Sequence, residues 1–481
     1  MISSVLHSLK STIRVFSAAM VAGPLILCLM LMDATKTRAA SPIGYQQLYA
    51  FKGGPADGEY LYDSIIEGSD GRLYGTTVNG GPDDGGLVFG MNKDGSGYAI
   101  LHPFRISTTD GLSPWGGVVQ GSDGRLYGAT RHGGATDAGT VFSVRLNGTG
   151  FAIIRSFSTN ANDGSYPLNS VIEGSDGRLY GRTFSGGTND GSAVFGLNKN
   201  GSGYTVLHSF TSNLPDRMDS YSGLIQGSDG ALYGTTYNDG ALGLGSVFRL
   251  NKDGTGFQML HSFQDNNSDG RFPYGTVHEA SDGVLYGTTS AGGPDDYGTL
   301  YKVNRDGASY MVLRYFTATN HEGYVPVAPP VEGPGGALYG TTYFGGASDE
   351  GTIYQVGKDG SGFAFLYEFR NDGLDGWEPN APMIRGSDGA LYGTTFFGSG
   401  QVFASVFRIE PLALEGETTP GGFTVHLDGF KGARYALDVT DSLSSTWTQI
   451  VVLTNLTGTV AWPDTGPLLK QRFYRARTLN P

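Results

Sequence analysis

Apolar and polar positions alternate in short runs along most of the chain, and the runs return at a fixed interval. The tripeptide Leu-Tyr-Gly occurs seven times, with its tyrosines at Tyr74, Tyr127, Tyr180, Tyr233, Tyr286, Tyr339 and Tyr392, each step being 53 residues. Aligned on that tyrosine, four pieces recur. The first is an apolar run ending in a Ser-Asp-Gly turn, as in SIIEGSDG (64–71). The second is LYGTT. The third is GTVF-like with an aromatic, and the fourth resembles FQMLHSF (257–263). Period-two alternation bounded by Asp-Gly and Asn-Gly predicts strands joined by tight hairpin turns. Outside the N-terminus no stretch carries the 3.6-residue apolar period of a helix, so an all-β chain is expected. Four short antiparallel strands per repeat make one blade of a β-propeller, and seven repeats make seven blades.

The ends of the repeat region complement each other. YQQLYAF (45–51) aligns with the fourth strand of the repeat, and SVFRIE (405–410) aligns with the third. The N-terminal strand is therefore expected to complete the last blade, closing the ring as three strands plus one and removing an exposed edge. The propeller is assigned to 41–410. Residues 411–481 carry five further strand-like pieces, among them FTVHLDG and TVAWPD, and are expected to form a small β-sandwich-like module with Trp447 and Trp462 in its core. The repeat pattern SDG-x-LYGTT-x-x-GG…G-x-VF-x-LN-x-DG-x-GF resembles the GloVer tandem repeat of secreted bacterial proteins. It is also similar in layout to the blades of sensor-type regulator propellers. The resemblance implies secretion and a C-terminal anchor that varies among members, and it brings no assigned activity. The closing RFYRARTLNP shows no hydrophobic helix or sorting pattern.

Composition narrows the picture. The chain has 481 residues with 78 glycines, and these sit beside aromatic and β-branched residues as strands and tight turns require. Lys10 and Arg14, the apolar stretch Phe16–Met32 and the small residues Ala34, Ala39 and Ala40 predict a secretory signal over 1–40, cleaved near 34–40. Read instead as a retained anchor, that stretch is at the lower limit for spanning a bilayer. The single cysteine, Cys28, lies within the signal, so the mature chain has no disulfide, thiolate metal site or cysteine nucleophile. Loss of 1–40 takes the formal net charge from −13 to −16, which argues against nucleic acid as a partner. A soluble, secreted monomer without a membrane span is expected.

Loops after the first and third strands share one face and hardly vary between copies. Loops after the second and fourth strands share the other face and vary in side chain, so function is assigned there. Each fourth-to-first loop carries an acid: Asp57, Asp110, Asp163, Asp216, Asp269, Glu322 and Asp375. Two readings follow for Asp57, Asp110, Asp163, Asp269 and Asp375: an oxygen-rich Ca²⁺ site, or a cap on an Asx turn needed in every copy. No other cofactor is expected. Aromatics on the same face include Tyr62, Trp115, Tyr166, Tyr221, Tyr274 and Trp377, with Phe184, Tyr237, Tyr343 and Phe396 after LYGTT. Flat apolar rings with polar edges beside carboxylates suit sugars; packing between blades is the other reading. Departures from the repeat place Arg131, His132 and Arg182 on neighbouring blades, as a cationic spot for an acidic sugar or as neutral drift. His102, His208 and His261, replaced elsewhere by Arg155, Arg314, Tyr367 and Tyr49, read as an exposed edge position. The favoured function is a non-enzymatic scaffold that binds glycan or an extracellular protein. A glycan hydrolase or lyase, with Arg131, His132 and Arg182 converging on a carboxylate, and a structural adhesion protein are the alternatives.

Overall fold

A computed structural model describes residues 44–159, 163–187, 190–211, 222–319, 322–370, 375–398 and 403–410, together with the strands Ala413–Thr419, Gly422–Asp428, Arg434–Thr440, Thr448–Thr454, Thr459–Asp464 and Phe473–Leu479. The expected signal segment and Trp447 lie outside the described residues. Seven four-stranded antiparallel sheets follow the repeat. In blade 1 the strands are Ile66–Glu67, Leu73–Thr77, Leu87–Met91 and Ala99–Pro103, hydrogen-bonded in that order. Gln46–Phe51 pairs with Ala404–Ile409, completing blade 7 by the expected three-plus-one closure. Among the described residues the one helical turn is the 3-10 segment Pro334–Gly336.

LYGTT is fully buried in each blade because it is covered on both sheet faces. Its glycine is dictated by space. A Cβ on Gly75 would lie 2.8 Å from Phe89 Cζ and 2.9 Å from Ile65, and the same aromatic covers the same glycine in each copy through Gly393 and Phe407. Tyrosine anchors the preceding turn. The Tyr74 hydroxyl donates to Asp70 Oδ2 at 2.6 Å while Asp70 Oδ1 accepts the Arg72 amide, which is why SDG-x-LY travels as one unit. The cores lie between blades: Tyr74, Val88 and Phe104 of blade 1 pack with Val118, Leu126 and Phe142 of blade 2.

Two further devices join neighbouring blades. On the face of the short turns, the SDG serine of one blade is held by the Glu or Gln at the first strand of the next. Ser122 donates its amide and hydroxyl to Glu173 at 2.6 and 2.8 Å, and Lys199 reaches both Ser122 and Glu173. The clamp recurs across the ring closure, where Ser387 of blade 7 is held by Glu67 and Lys93 of blade 1.

The second device corrects the reading of the fourth-strand histidines. Each planar side chain at that position stacks on an aromatic of the next blade. His102 lies on Phe151 at 3.5 Å, Arg155 on Tyr204 at 3.9 Å, His208 on Phe257 at 3.9 Å, and His261 on Tyr310 at 3.5 Å. Arg314 on Phe363 and Tyr367 on Tyr45 continue the series, and Tyr49 on Tyr98 closes it. The position is not an exposed edge. His, Arg and Tyr replace one another there because each offers a flat π face with a hydrogen-bond donor at its tip.

The last six strands form two three-stranded antiparallel sheets, Ala413–Thr419, Gly422–Asp428 and Thr459–Asp464 in one, Thr448–Thr454, Arg434–Thr440 and Phe473–Leu479 in the other. The first of them, ALEGETT, has a weak apolar pattern and is additional to the five expected. Trp462 is half-buried rather than core.

Candidate functional site

On the variable face the loops after the fourth and second strands are tied to each other. Gly58–Glu59 pairs with Asn79–Gly80 in blade 1, and equivalent two-residue ribbons form at Gly111–Leu112 with His132–Gly133, Gly164–Ser165 with Ser185–Gly186, and Gly270–Arg271 with Ala291–Gly292. Single bridges, Tyr324 with Phe344 and Trp377 with Phe397, replace them further round.

The recurrent acid organises this loop. Asp110 is buried; its Oδ1 accepts the Gly111 amide at 2.8 Å and its Oδ2 the Arg105 amide at 3.1 Å, and His102 Nε2 lies 3.1 Å from Oδ1. Asp57, Asp163 and Asp269 repeat the pattern with Gly58, Gly164 and Gly270, each also bound by its own fourth-strand donor, Tyr49, Arg155 or His261. Asp375 takes the Arg370 amide and the Tyr367 hydroxyl. Burial opposes ionisation of Asp269, but hydrogen bonds from His261 and Tyr310 outweigh it and hold this carboxyl below the usual range. These oxygens therefore face N–H and O–H donors, and the recurrent acid occurs once in each loop. Among the described residues no group of three or more His, Cys, Asp or Glu side chains is placed to hold a metal ion. The geometry is that of the Asx cap. An acid in the loop after the second strand behaves likewise: Asp84, Asp137, Asp296 and Asp349 all take positive φ and accept the amide four residues before them.

Arg182 does not belong to a surface cationic spot. It is buried, and Nη1 donates to Ser222 Oγ at 3.0 Å and to the Thr235 carbonyl at 2.6 Å, with the guanidinium near the Phe210 and Phe248 rings. Thr76, Thr235 and Thr288 occupy the equivalent place and bond the backbone 40 residues on, so Arg182 elaborates a blade-to-blade tie. The predicted convergence of Arg131, His132 and Arg182 is not what the fold produces.

Arg131 and His132 diverge from each other too. The Arg131 guanidinium lies over the Trp115 ring at 4.3 Å and near Phe184 at 5.9 Å. His132 pairs in the loop ribbon, with Nδ1 3.8 Å from Asp137 and its ring 5.5 Å from Tyr166. Burial pulls the His132 pKa below the ordinary value, against the pull of Asp137.

The aromatics are half-buried and joined, not scattered and exposed. Trp115 stacks on Tyr62 with centroids 4.6 Å apart and planes 10° from parallel, and Tyr62 meets Phe396 edge-on. Phe396 contacts Phe397, and Phe397 stacks on Trp377 at 4.3 Å, whose Nε1 donates to the Gly398 carbonyl. A continuous ladder thus runs from Trp377 through Tyr62, Trp115 and Arg131 to Phe184, crossing blades 7, 1, 2 and 3. Tyr274 is edge-on to Tyr237 at 6.3 Å. Tyr221 falls outside the described residues. One polar pair was missed by sequence reasoning: the Tyr343 hydroxyl donates to the buried Glu378 carboxylate. Burial and then Glu378 push Tyr343 far above the ordinary tyrosine range, with smaller contributions from Tyr274 and Tyr62. Tyr62 and Tyr274, from two other loops, thus each come within electrostatic reach of Tyr343. Glu378 was legible, like Asp219 of copy four, as an acid where the other copies hold Tyr60, Ser113, Tyr166, Phe272 and Val325, these five all at positive φ.

Among the described residues no helix is long and apolar enough to cross a membrane. Solved structures similar to this chain include one in a nidogen/laminin complex, 14% identical, covering 60% of this chain and 88% of that one with a TM-score of 0.34. The extracellular domain of a putative hybrid two-component system from B. thetaiotaomicron is 9% identical over 92% of this chain and 60% of its own, with a TM-score of 0.45. A putative 6-phosphogluconolactonase from Bacteroides uniformis is 14% identical over 83% of this chain and 100% of its own, also at 0.45. None of these likenesses transfers a role. No curated protein matches the sequence. The Gloeobacter/Verrucomicrobia repeat model matches residues 38–219 and 219–448, the whole span of the repeated blades and beyond, and this chain belongs to that repeat family.

Proposed function

We propose that this chain is a secreted, monomeric, non-enzymatic binding scaffold that recognises a carbohydrate through the variable face of its propeller. One observation carries the reading: the ladder of Tyr62, Trp115 and Arg131, with Trp377 at its far end, lies among the loops that differ between copies. The opposite face is occupied by a repeated structural clamp. Stacked rings with an attached cation offer ring edges and hydrogen-bond donors at one place, which suits the hydroxyls and C–H edges of a pyranose ring. The expected signal over 1–40 supports export. Bound Ca²⁺ is no part of the proposal, because the loop acids already serve backbone donors.

A glycan-array screen of the exported form, with and without Ca²⁺, tests it. Selective binding that Trp115→Ala weakens about tenfold or more, roughly 1.4 kcal/mol, while Ca²⁺ makes no difference, supports the reading. Absence of any retained glycan, or binding unchanged in both Trp115→Ala and Trp377→Ala, overturns it. Turnover of a retained glycan would replace the scaffold with an enzyme.

A further inference from the structure

The clamp on the short-turn face is absent at one seam. Six blades present a serine whose amide and hydroxyl are held by the next blade, as Ser281 is held by Glu332 at 2.6 and 2.8 Å. In blade 6 the turn reads Pro334-Gly335-Gly336, and blade 7 offers Arg385 in place of Glu or Gln. Proline has no amide hydrogen and no hydroxyl to donate, and arginine cannot accept. Donor and acceptor are lost together at the same seam, which independent drift at two positions 51 residues apart does not readily produce. The aspartate that receives the LYG tyrosine hydroxyl in the other blades is also replaced, by Gly335.

The strand Ala413–Thr419 runs beside Pro334–Gly336. Its neighbours continue along the same side of the ring: Leu427 and Tyr435 are buried in one cluster with Met91 of blade 1 and with Ala390 and Tyr392 of blade 7. We infer that the Pro-Gly-Gly turn is a seat for the C-terminal strands, and that Ala413–Thr419 takes over at the seam between blades 6 and 7 the role the clamp plays elsewhere. A small turn without the serine and aspartate side chains leaves room for a strand to approach. The C-terminal strands are then part of the ring closure, held on the face opposite the aromatic ladder. This inference is independent of the carbohydrate reading.

Hydrogen exchange on the full chain tests it. The reporters are the amides of 333, 335–337 and 384–386 at the seam, with 280–284 in blade 5 as the clamped control. Gly416→Pro breaks the strand where it pairs with Val425. The expected result is at least tenfold faster exchange at the seam with the control unchanged. Adding Pro334→Ser, Gly335→Asp and Arg385→Glu, which recreates the clamp of the other blades, is expected to return the seam to the level of the control. Unchanged exchange at the seam, equal loss at the seam and the control, or failure of the recreated clamp to restore protection each overturn the inference.

Discussion

Replacing His102 with alanine removes two interactions between blades 1 and 2 at once. The imidazole lies flat on Phe151, 3.5 Å between centroids and 5° from parallel, and its Nε2 is 3.1 Å from the buried Asp110 carboxylate. An aromatic pair contributes about 0.5–1.5 kcal/mol beyond area burial. A hydrogen bond to a charged group contributes about 1.5–3 kcal/mol. Asp110 keeps its two backbone donors, so the expected cost of His102→Ala is about 2–4 kcal/mol. His102→Arg is the informative control. Arg155 and Arg314 occupy the same slot in their own blades, each over an aromatic ring and paired with the loop acid. The arginine variant is therefore expected to stay within about 1 kcal/mol of the parent. Urea unfolding followed by circular dichroism and by tryptophan fluorescence reads both, with coincident transitions establishing that one process is measured. An alanine variant costing under about 1 kcal/mol, or an arginine variant as costly as alanine, refutes the assignment of this position to a planar stacked donor.

Three further outcomes follow from the same contacts. Burial raises the pKa of Glu67, Glu173 and Glu332, but the lysine and serine hydrogen bonds of the clamp outweigh it and hold all three below the usual glutamate range. A depressed carboxyl stabilises the fold above its unfolded pKa and loses that contribution as pH falls through the folded value. The thermal midpoint is thus expected to drop below about pH 4.5, and Glu67→Gln, which copies Gln120 and Gln226, should blunt the drop in scanning fluorimetry. Gly75→Ala is expected to cost about 1–3 kcal/mol by overpacking against Phe89, with partial recovery in the double variant Gly75→Ala/Phe89→Leu; a neutral Gly75→Ala would sink the spatial argument. Arg182→Thr, the residue of most other copies, should lower stability by about 1–3 kcal/mol and leave any glycan affinity on the array unchanged, whereas lost affinity at full stability would return Arg182 to the binding face.

The repeat, its four strands and the closure of the ring were legible in the sequence, because each depends on local alternation, turn chemistry and a 53-residue period. Even the pairing of YQQLYAF with the last blade was a matter of matching phase. The roles of individual side chains were less accessible. Exchange among His, Arg and Tyr in the fourth strand was visible, but only the neighbouring blade shows that flatness, not exposure, is what these residues share. Arg182 stands out in the repeat as a cation, yet the fold turns it inward to Ser222 and Thr235.

The division has a physical cause. Strand, turn and register are decided by interactions within one repeat, so a single copy states them and seven copies repeat the statement. The contacts that join Ser122 to Glu173, His102 to Phe151, Tyr62 to Trp115 and Tyr343 to Glu378 link neighbouring blades, across 35 to 53 residues of chain. Those partners meet only when the ring brings adjacent blades side by side, and so the tertiary structure alone decided which aromatics form a ladder, which acids are caps and which cations are buried.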